Sequence, residues 1–522
     1  MANKTLFASL RDALIPRTDT VNSENAPAYA LAPKQALAQY AATGCFGRTF
    51  YATADEQLTR VLELCEAVEP QFVARLAIYS RTHSFMKDMP AMLCAWLSSR
   101  DIRLHEAVFS RVIDNARMLR TYVQILRSGV VGRKSLGTAP KRLVREWLAS
   151  RDEDALFSAS AGQSPSLSDI VKMVHPKPAG PARQAFYGYM LGRSYDANAL
   201  PKLVMQFEQF KAGESLDVPN VPFMLLSALP LAKKDWVSIA KNASWQTTRM
   251  NLNTFARHGV FEADGLSGII AARLRDVGEI QRARVFPYQL LTAYQNCDAA
   301  VPQEVRDALQ DAMELAIANV PAIEGRVVVC PDVSGSMRSP VTGHRSGSST
   351  AVRCVDVAAL FTASVLRKNS SATILPFEQS VVPVNLNARD SVMTNAGRLA
   401  AIGGGGTNCS APVQMLNKRK AKADLVIVVS DNESWVDSGK TDAGRGRGTA
   451  LLAEWSEFRQ RNPQARLVCL DIQPNQTTQA AERADILNIG GFSDQVFEVI
   501  SAFAAGQLEA DHWIARIEAV AV

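Results

Sequence analysis

At 522 residues, with 47% hydrophobic and 21% charged side chains and a formal charge of +6, the chain is too long for one hydrophobic core and is composed like a folded protein. Its apolar runs stop short of the roughly 18 residues that would span a bilayer, and its eight cysteines are scattered, with no CxxC pair and no histidine at zinc spacing; membrane, disulfide-scaffold and zinc-ribbon classes are excluded. Arg11 and Asp12 interrupt the stretch where a signal peptide would be apolar, so a cytoplasmic protein is expected.

The positive charge is unevenly spread. Residues 1–323 hold 37 Lys and Arg against 31 Asp and Glu, whereas the rest holds 20 of each, so the excess belongs to the first part. From about Leu31 to Val320 one amphipathic helix follows another: DEQLTRVLELCEAV, EAVFSRVIDNARMLRTYVQILRSG and PKRLVREWLAS repeat apolar residues at three and four. Strand-like runs are nearly absent there. Helix pairs joined by short turns suggest an α-solenoid of HEAT-like repeats, although no clean internal period is visible.

Residues 111–145 are densest in one sign: Arg111, Arg117, Arg120, Arg127, Arg133, Lys134, Lys141, Arg142 and Arg145 are opposed only by Asp114. At 100° per residue Arg117, Arg120 and Arg127 fall within about 80° of one another, away from Val112, Leu119, Val123 and Leu126. One helix is therefore expected to carry a basic stripe. In the loop GVVGRKSLGTAPKR glycines supply the turns and Thr138 and Pro140 start the next helix. Lys141 and Arg142 in that first turn are locally unfavourable, and a phosphate would relieve them. Charge runs also make solvated faces; the arginine content tilts this one toward phosphate, whose oxygens match guanidinium forks. In DIVKMVHPKPAGPAR, Pro176 disfavours the α conformation at His175, so a helix ends there and Lys177 is held in an extended turn beside the imidazole. Such a histidine is either structural or a ligand contact.

After Ile323 the texture changes. RVVVCPDVS, VRCVDVAALFTASVLRKN, SATILPFEQSVVPVNL, ARDSVMTNAGRLAAI, LVIVVSDNES, TALLAEWSEFRQR and ARLVCLDIQ alternate strand and helix, the pattern of an α/β doubly wound, mostly parallel sheet. SATILPFEQSVVPVNL reads as a hairpin that adds an antiparallel edge. The boundary is placed near Pro321, with a helical domain at 1–322 and an α/β domain at 323–522.

Ligands of open α/β sheets bind at the carboxyl ends of strands. Asp332 leaves one such end, Ser430 and Asp431 leave another, and GGGGTNCSAP presents Thr407 between them. Asp332, Ser334, Ser336, Thr407 and Asp431 are hard oxygen donors of the kind that suits Mg2+, with a vacancy for a partner's carboxylate or phosphate. Ser and Asp also cap helices; the addition of Thr407 and Asp431 in the right order favours the metal. GGGGTN lacks the Gly-Lys-Ser/Thr ending of a P-loop. Glu433 could serve as a base, but support of the site from outside the ligand set fits it better.

This half resembles a von Willebrand factor A domain, whose metal-ion-dependent adhesion site is written DxSxS, then Thr, then Asp; residues 332–336, 407 and 431 match it one for one. The resemblance implies a metal that engages a partner. Over nearly its whole length the chain resembles the Ro autoantigen family, the TROVE-domain proteins. The stretches that carry this are GRTFYATADEQL, FMKDMPAMLCAWLSSRD, GRKSLGTAPKRLVREWL and the HPKP loop, followed by DVSGSM. The resemblance implies a ring of HEAT-like repeats closed by the A domain, a hole for single-stranded RNA ends and an outer basic surface for duplex RNA. It further implies a ribonucleoprotein with small noncoding Y-like RNA, binding of misfolded or structured RNAs with single-stranded ends, and RNA quality control or decay with an exoribonuclease such as polynucleotide phosphorylase. His175 matches the family histidine that matters for Y RNA. The family's basic residues just before it are replaced here by RDEDALFSASAGQSPS, so duplex contacts at that edge differ or are weaker.

The expected RNA contacts are thus Arg117, Arg120, Arg127, Arg133, Lys134, Lys141, Arg142, His175 and Lys177, and no catalytic residue is assigned. A metal-dependent protein-binding scaffold without a primary RNA role is the alternative. A Mg2+ hydrolase would call for a second metal or an activated water, and one donor set is visible.

Overall fold

The computed structural model describes residues 15–44, 51–162, 164–215, 217–283, 287–317, 320–341, 352–438, 448–491, 495–506 and 512–522. As expected, helices run from Pro33 to Ala316 and an α/β unit follows. Several helices begin where side chains satisfy their first amides. Thr53 and Glu56 form a capping box, Asp101 accepts from the amides of Arg103 and Leu104, and Asn115 accepts from that of Met118. The helix Asp88–Arg100 is apolar nearly all round and lies inside, buried from Met89 to Ser98. It packs against Pro70–Thr82, Ile102–Val112 and Ala116–Ser128.

The second unit is built on five parallel strands in the order β4-β3-β5-β6-β8: β3 Val327–Pro331, β4 Thr373–Ile374, β5 Leu425–Ser430, β6 Arg466–Asp471 and β8 Ile486–Gly490. Ile374, Val329, Ile427, Val468 and Leu487 share one row across the sheet. Strands buried on both faces read as continuous apolar runs because there is no wet face to alternate with. One face, with Val329, Ile427 and Val468, joins the core of the helical part; the other, with Val328, Val426 and Leu467, packs on Trp455 and Phe458 of the helix Ala450–Arg461.

The expected hairpin over 371–386 is corrected. It contributes β4, which pairs parallel to β3, and a single antiparallel bridge, Phe377 to Val381. The preceding helix Cys354–Lys368 carries the chain back across the sheet before β4 begins, which imposes parallel pairing, and Pro376 and Pro383 have no amide with which to extend a ladder.

A second, three-stranded antiparallel sheet joins the two parts: β1 Thr20–Val21, β2 Pro27–Ala30 and β7 Thr477–Thr478 pair in that order. The helix Pro33–Thr43 packs on β8, and the helix His512–Glu518 packs on Pro70–Thr82. At the far end Gln303–Ala316 packs on Val392–Ala400 and Pro287–Gln295 on Cys354–Lys368. The helical path therefore leaves the α/β unit and returns to it, a closed circuit. Among the described residues no helix is long and apolar enough to cross a membrane.

Candidate functional site

The five oxygen donors singled out in the sequence converge. Asp332 follows β3 and Asp431 follows β5, which are neighbours in parallel register with Pro331 beside Val429. The Asp332 carboxylate accepts from the Ser334 amide at 2.8 Å and from the Ser430 hydroxyl at 2.5 Å. Thr407 Oγ1 donates to Ser334 Oγ at 3.0 Å, and Ser334 and Ser336 share a hydrogen bond at 3.3 Å. The glycine run exists to bring Thr407 in: Gly403 has φ +84°, and a Cβ there would lie 2.1 Å from the Val333 carbonyl oxygen. At Gly406 a Cβ would lie 2.5 Å from the Trp435 ring. No other residue type passes so close.

All five donors are buried. Burial drives the carboxyls of Asp332 and Asp431 above the ordinary aspartate range, and for Asp431 the Asp332 charge adds to it. Asp431 Oδ1 is buried with no hydrogen-bond partner. Two adjacent buried carboxyls, one with an orphaned oxygen, are costly unless a cation compensates them. The donor set fits Mg2+, which would be held by these two carboxylates and three hydroxyls. Among the described residues no group of three or more His, Cys, Asp and Glu is placed to hold a metal, so hydroxyl donors are necessary to any such site.

Three neighbours were not given these places from the sequence. Glu433, pushed up to about 7 by burial, accepts from the Ser23 amide at 2.7 Å and hydroxyl at 3.0 Å; its role as a base finds no substrate-facing position. Asp471, at the end of β6, accepts from Gln39 Nε2 at 2.8 Å. The Tyr51 hydroxyl is hydrogen-bonded to the Ser336 side chain.

The basic segment divides. Arg117 and Arg127 are exposed on the helix Ala116–Ser128, Arg117 within 3.9 Å of Asp88. Arg120 is turned inward, donating to the Ala159 carbonyl at 3.0 Å and packing on Gly162, so the expected three-residue stripe is corrected to two. Arg133 is half-buried and donates to the Ser98 carbonyl. Arg142 pairs with Glu106 at 2.5 Å and Glu146 at 2.8 Å. Lys134 is exposed and Lys141 half-buried. His175 ends the helix Leu167–Val174 in the left-handed region, φ +49°, and is exposed, as is Lys177. Arg145 donates to the Val174 carbonyl at 2.5 Å and so holds that turn. Glu153 of the acidic segment is taken up by Arg183 at 2.8 Å.

A cationic site that no run of sequence announces lies inside the circuit. Arg81, Lys87 and Arg111 line a cavity of about 340 Å3 with Asp114, Gln246, Ala283 and Gln289; Arg81 pairs with Asp114 at 2.6 Å and Arg111 donates to the Ala521 carbonyl at 2.5 Å. Lys87 is reached by solvent yet surrounded by enough protein to pull its ammonium below the ordinary lysine range, with Arg117 and Arg81 adding repulsion. An anion would relieve both effects.

Residues 326–504 match the family described as the Ro60 vWA domain. The chain is 24% identical to the RNA-binding protein RO60 of Deinococcus radiodurans over 97% of its own length and 100% of that protein's, and 23% identical to the RNA-binding protein RO60 of Caenorhabditis elegans over 46% and 37%. The crystal structure of the Deinococcus radiodurans RO (RSR) protein superposes with a TM-score of 0.62 at 20% identity, covering 91% of this chain and 100% of that one. A helical circuit closed by a vWA unit with these five oxygens is thus similar, in fold and nearly end to end, to the Deinococcus radiodurans protein.

Proposed function

We propose that this protein binds RNA and does no bond-making chemistry of its own. It forms a cytoplasmic ribonucleoprotein with a small noncoding Y-like RNA, holds single-stranded ends of misfolded or structured RNAs, and serves RNA quality control or decay beside an exoribonuclease such as polynucleotide phosphorylase. Its A domain carries Mg2+ through Asp332, Ser334, Ser336, Thr407 and Asp431.

The observation that supports this most is the cavity inside the circuit. Arg81, Lys87 and Arg111 come from one arc and Gln246 and Gln289 from the opposite one, so a chain threaded between them meets cations on one side and amides on the other. Cations at such a place attract phosphates without reading bases, and a site between two arcs of helices selects unpaired ends by shape. Exposed Arg127, Lys134, Lys177 and His175 remain for duplex RNA outside.

The test is the salt dependence of binding to an RNA hairpin with a single-stranded 3′ tail. The Lys87→Ala/Arg111→Ala double variant should flatten the plot of log affinity against log salt by about 0.7 per lost contact, and a blunt hairpin should show no such change. An unchanged slope for the tailed RNA in a folded double variant removes the cavity from the reading. Failure of the full chain to bind either RNA favours the protein-binding scaffold.

A further inference from the structure

The metal donors have exposures of 0 to 7%, and the chain itself covers them. Tyr51 is hydrogen-bonded to the Ser336 side chain and lines one cavity with Ser23 and Glu433. Asn22 Nδ2 donates to the Ser434 carbonyl at 2.7 Å, and Ser23 engages both oxygens of Glu433. The other side of the same loop is also tied down: Asn475 Nδ2 donates to the Asp431 carbonyl at 2.7 Å and Asn432 Nδ2 to the Thr477 carbonyl at 3.2 Å. Thr477 belongs to β7, which pairs with β2. Residues 431–434 are thus a wall shared by the metal centre and by the segment 20–30. A polar cavity of about 180 Å3 lies where the two meet, lined by Ser23, Tyr40, Tyr51, Arg60, Glu433 and Asn475 among others.

We propose that the metal centre is closed by the chain's own Tyr51 and Asn22–Ser23 turn, and that cation binding there locks the segment 20–30 onto the A domain. The inference rests on the metal reading above and departs from the expectation of an open position for a partner. Without a cation the loop that carries Asp431 is held by hydrogen bonds that leave Asp431 Oδ1 buried and unpartnered. A cation gives that oxygen a partner and fixes the loop, and with it the oxygens of Glu433 and Ser434 that receive Asn22 and Ser23. Linkage makes the effect mutual: whatever anchors the segment must also tighten the metal.

Hydrogen exchange of the full chain, read by mass spectrometry with and without Mn2+, tests this, with uptake of Mn2+ followed separately by its electron paramagnetic resonance signal. Saturating Mn2+ should slow exchange over residues 20–30 by about tenfold, within the usual range for two coupled sites. Tyr51→Phe should weaken Mn2+ uptake several-fold while the sheet strands keep their protection, and Asp332→Ala should abolish uptake and the slowing together. Mn2+ that is taken up but leaves residues 20–30 unchanged overturns the lock and leaves the metal centre standing. No uptake at all overturns both.

Discussion

Asp471 is a carboxyl buried at the end of β6, whose company is Gln39, Asn475 and the acids Asp431 and Glu433. Burial raises its pKa well above the ordinary aspartate value. An unfolded aspartate titrates near about 3.9. Below that both states are protonated and Asp471 has no influence on stability; above it the unfolded chain gains an ionised, hydrated carboxylate that the fold disfavours. The folded state binds the proton more tightly, so the Asp471 contribution turns unfavourable as pH rises from about 4 until the folded pKa is passed. Asp471→Asn keeps an acceptor for Gln39 and removes the charge. In EDTA it should raise the melting temperature at neutral pH, with the difference shrinking toward pH 4. A shift of equal size at both pH values would assign the effect to packing.

The helix Ala116–Ser128 shows why a periodic pattern gives an angle but no address. Arg120 and Arg127 differ by only about 20° around the axis, yet lie some 10 Å apart along it. The helix Glu153–Ala159 ends beside Arg120, where its terminal Ala159 carbonyl takes the guanidinium, a placement that a helix C-terminus favours. Arg127 has no such cover and stands at a cavity of about 650 Å3 with Gln124 and Lys172. Arg120→Ala should therefore lower stability by about 1.5–3 kcal/mol, the range for a hydrogen bond from a charged donor, while Arg127→Ala stays within about 0.5 kcal/mol. For RNA the order should reverse, with Arg127→Ala lowering affinity for duplex RNA. Urea midpoints and binding isotherms on the same two variants decide it.

The molecule as a whole is held shut where the helix Pro33–Thr43 lies on the sheet. Gln39 donates to Asp471 and its Oε1 accepts from the Asn475 amide at 3.3 Å. Lys34 bridges Glu518 at 2.8 Å and Glu69 at 3.3 Å. The helix can come this close because Gly490 has no side chain: a Cβ there would sit 3.1 Å from Gln39 Cγ and 3.3 Å from its Cα. Gly490→Val places two more carbons in that contact and should pry the helix from β8. Exchange over residues 33–43 should rise at least several-fold while β3 and β5, whose ladders do not touch the junction, keep their protection. Equal loosening of the whole sheet would show that the junction is part of the A-domain core and no separate closure.

What the sequence determined alone was whatever depends on neighbours in the chain. The runs VVVCPDVSGS and LVIVVSDNES mark strand ends that finish on oxygen because β-branched residues give way abruptly to Asp and Ser, and GGGGTN marks a loop that presents Thr407. The helices, their caps and the turn at His175 are legible for the same reason. Tertiary structure decided what covers what. β1, β2 and β7 are too short to carry a pattern, and β7 joins the local pair β1 and β2 only because distant segments meet. Arg81, Lys87 and Arg111 sit on or beside three different helices that pack together, and they meet Gln246 and Gln289 only when the circuit closes. Whether a cation such as Arg120 faces water or a carbonyl, and whether Asp431 opens outward or lies beneath Tyr51, depends on the element packed over it, and chain spacing holds no record of that distance.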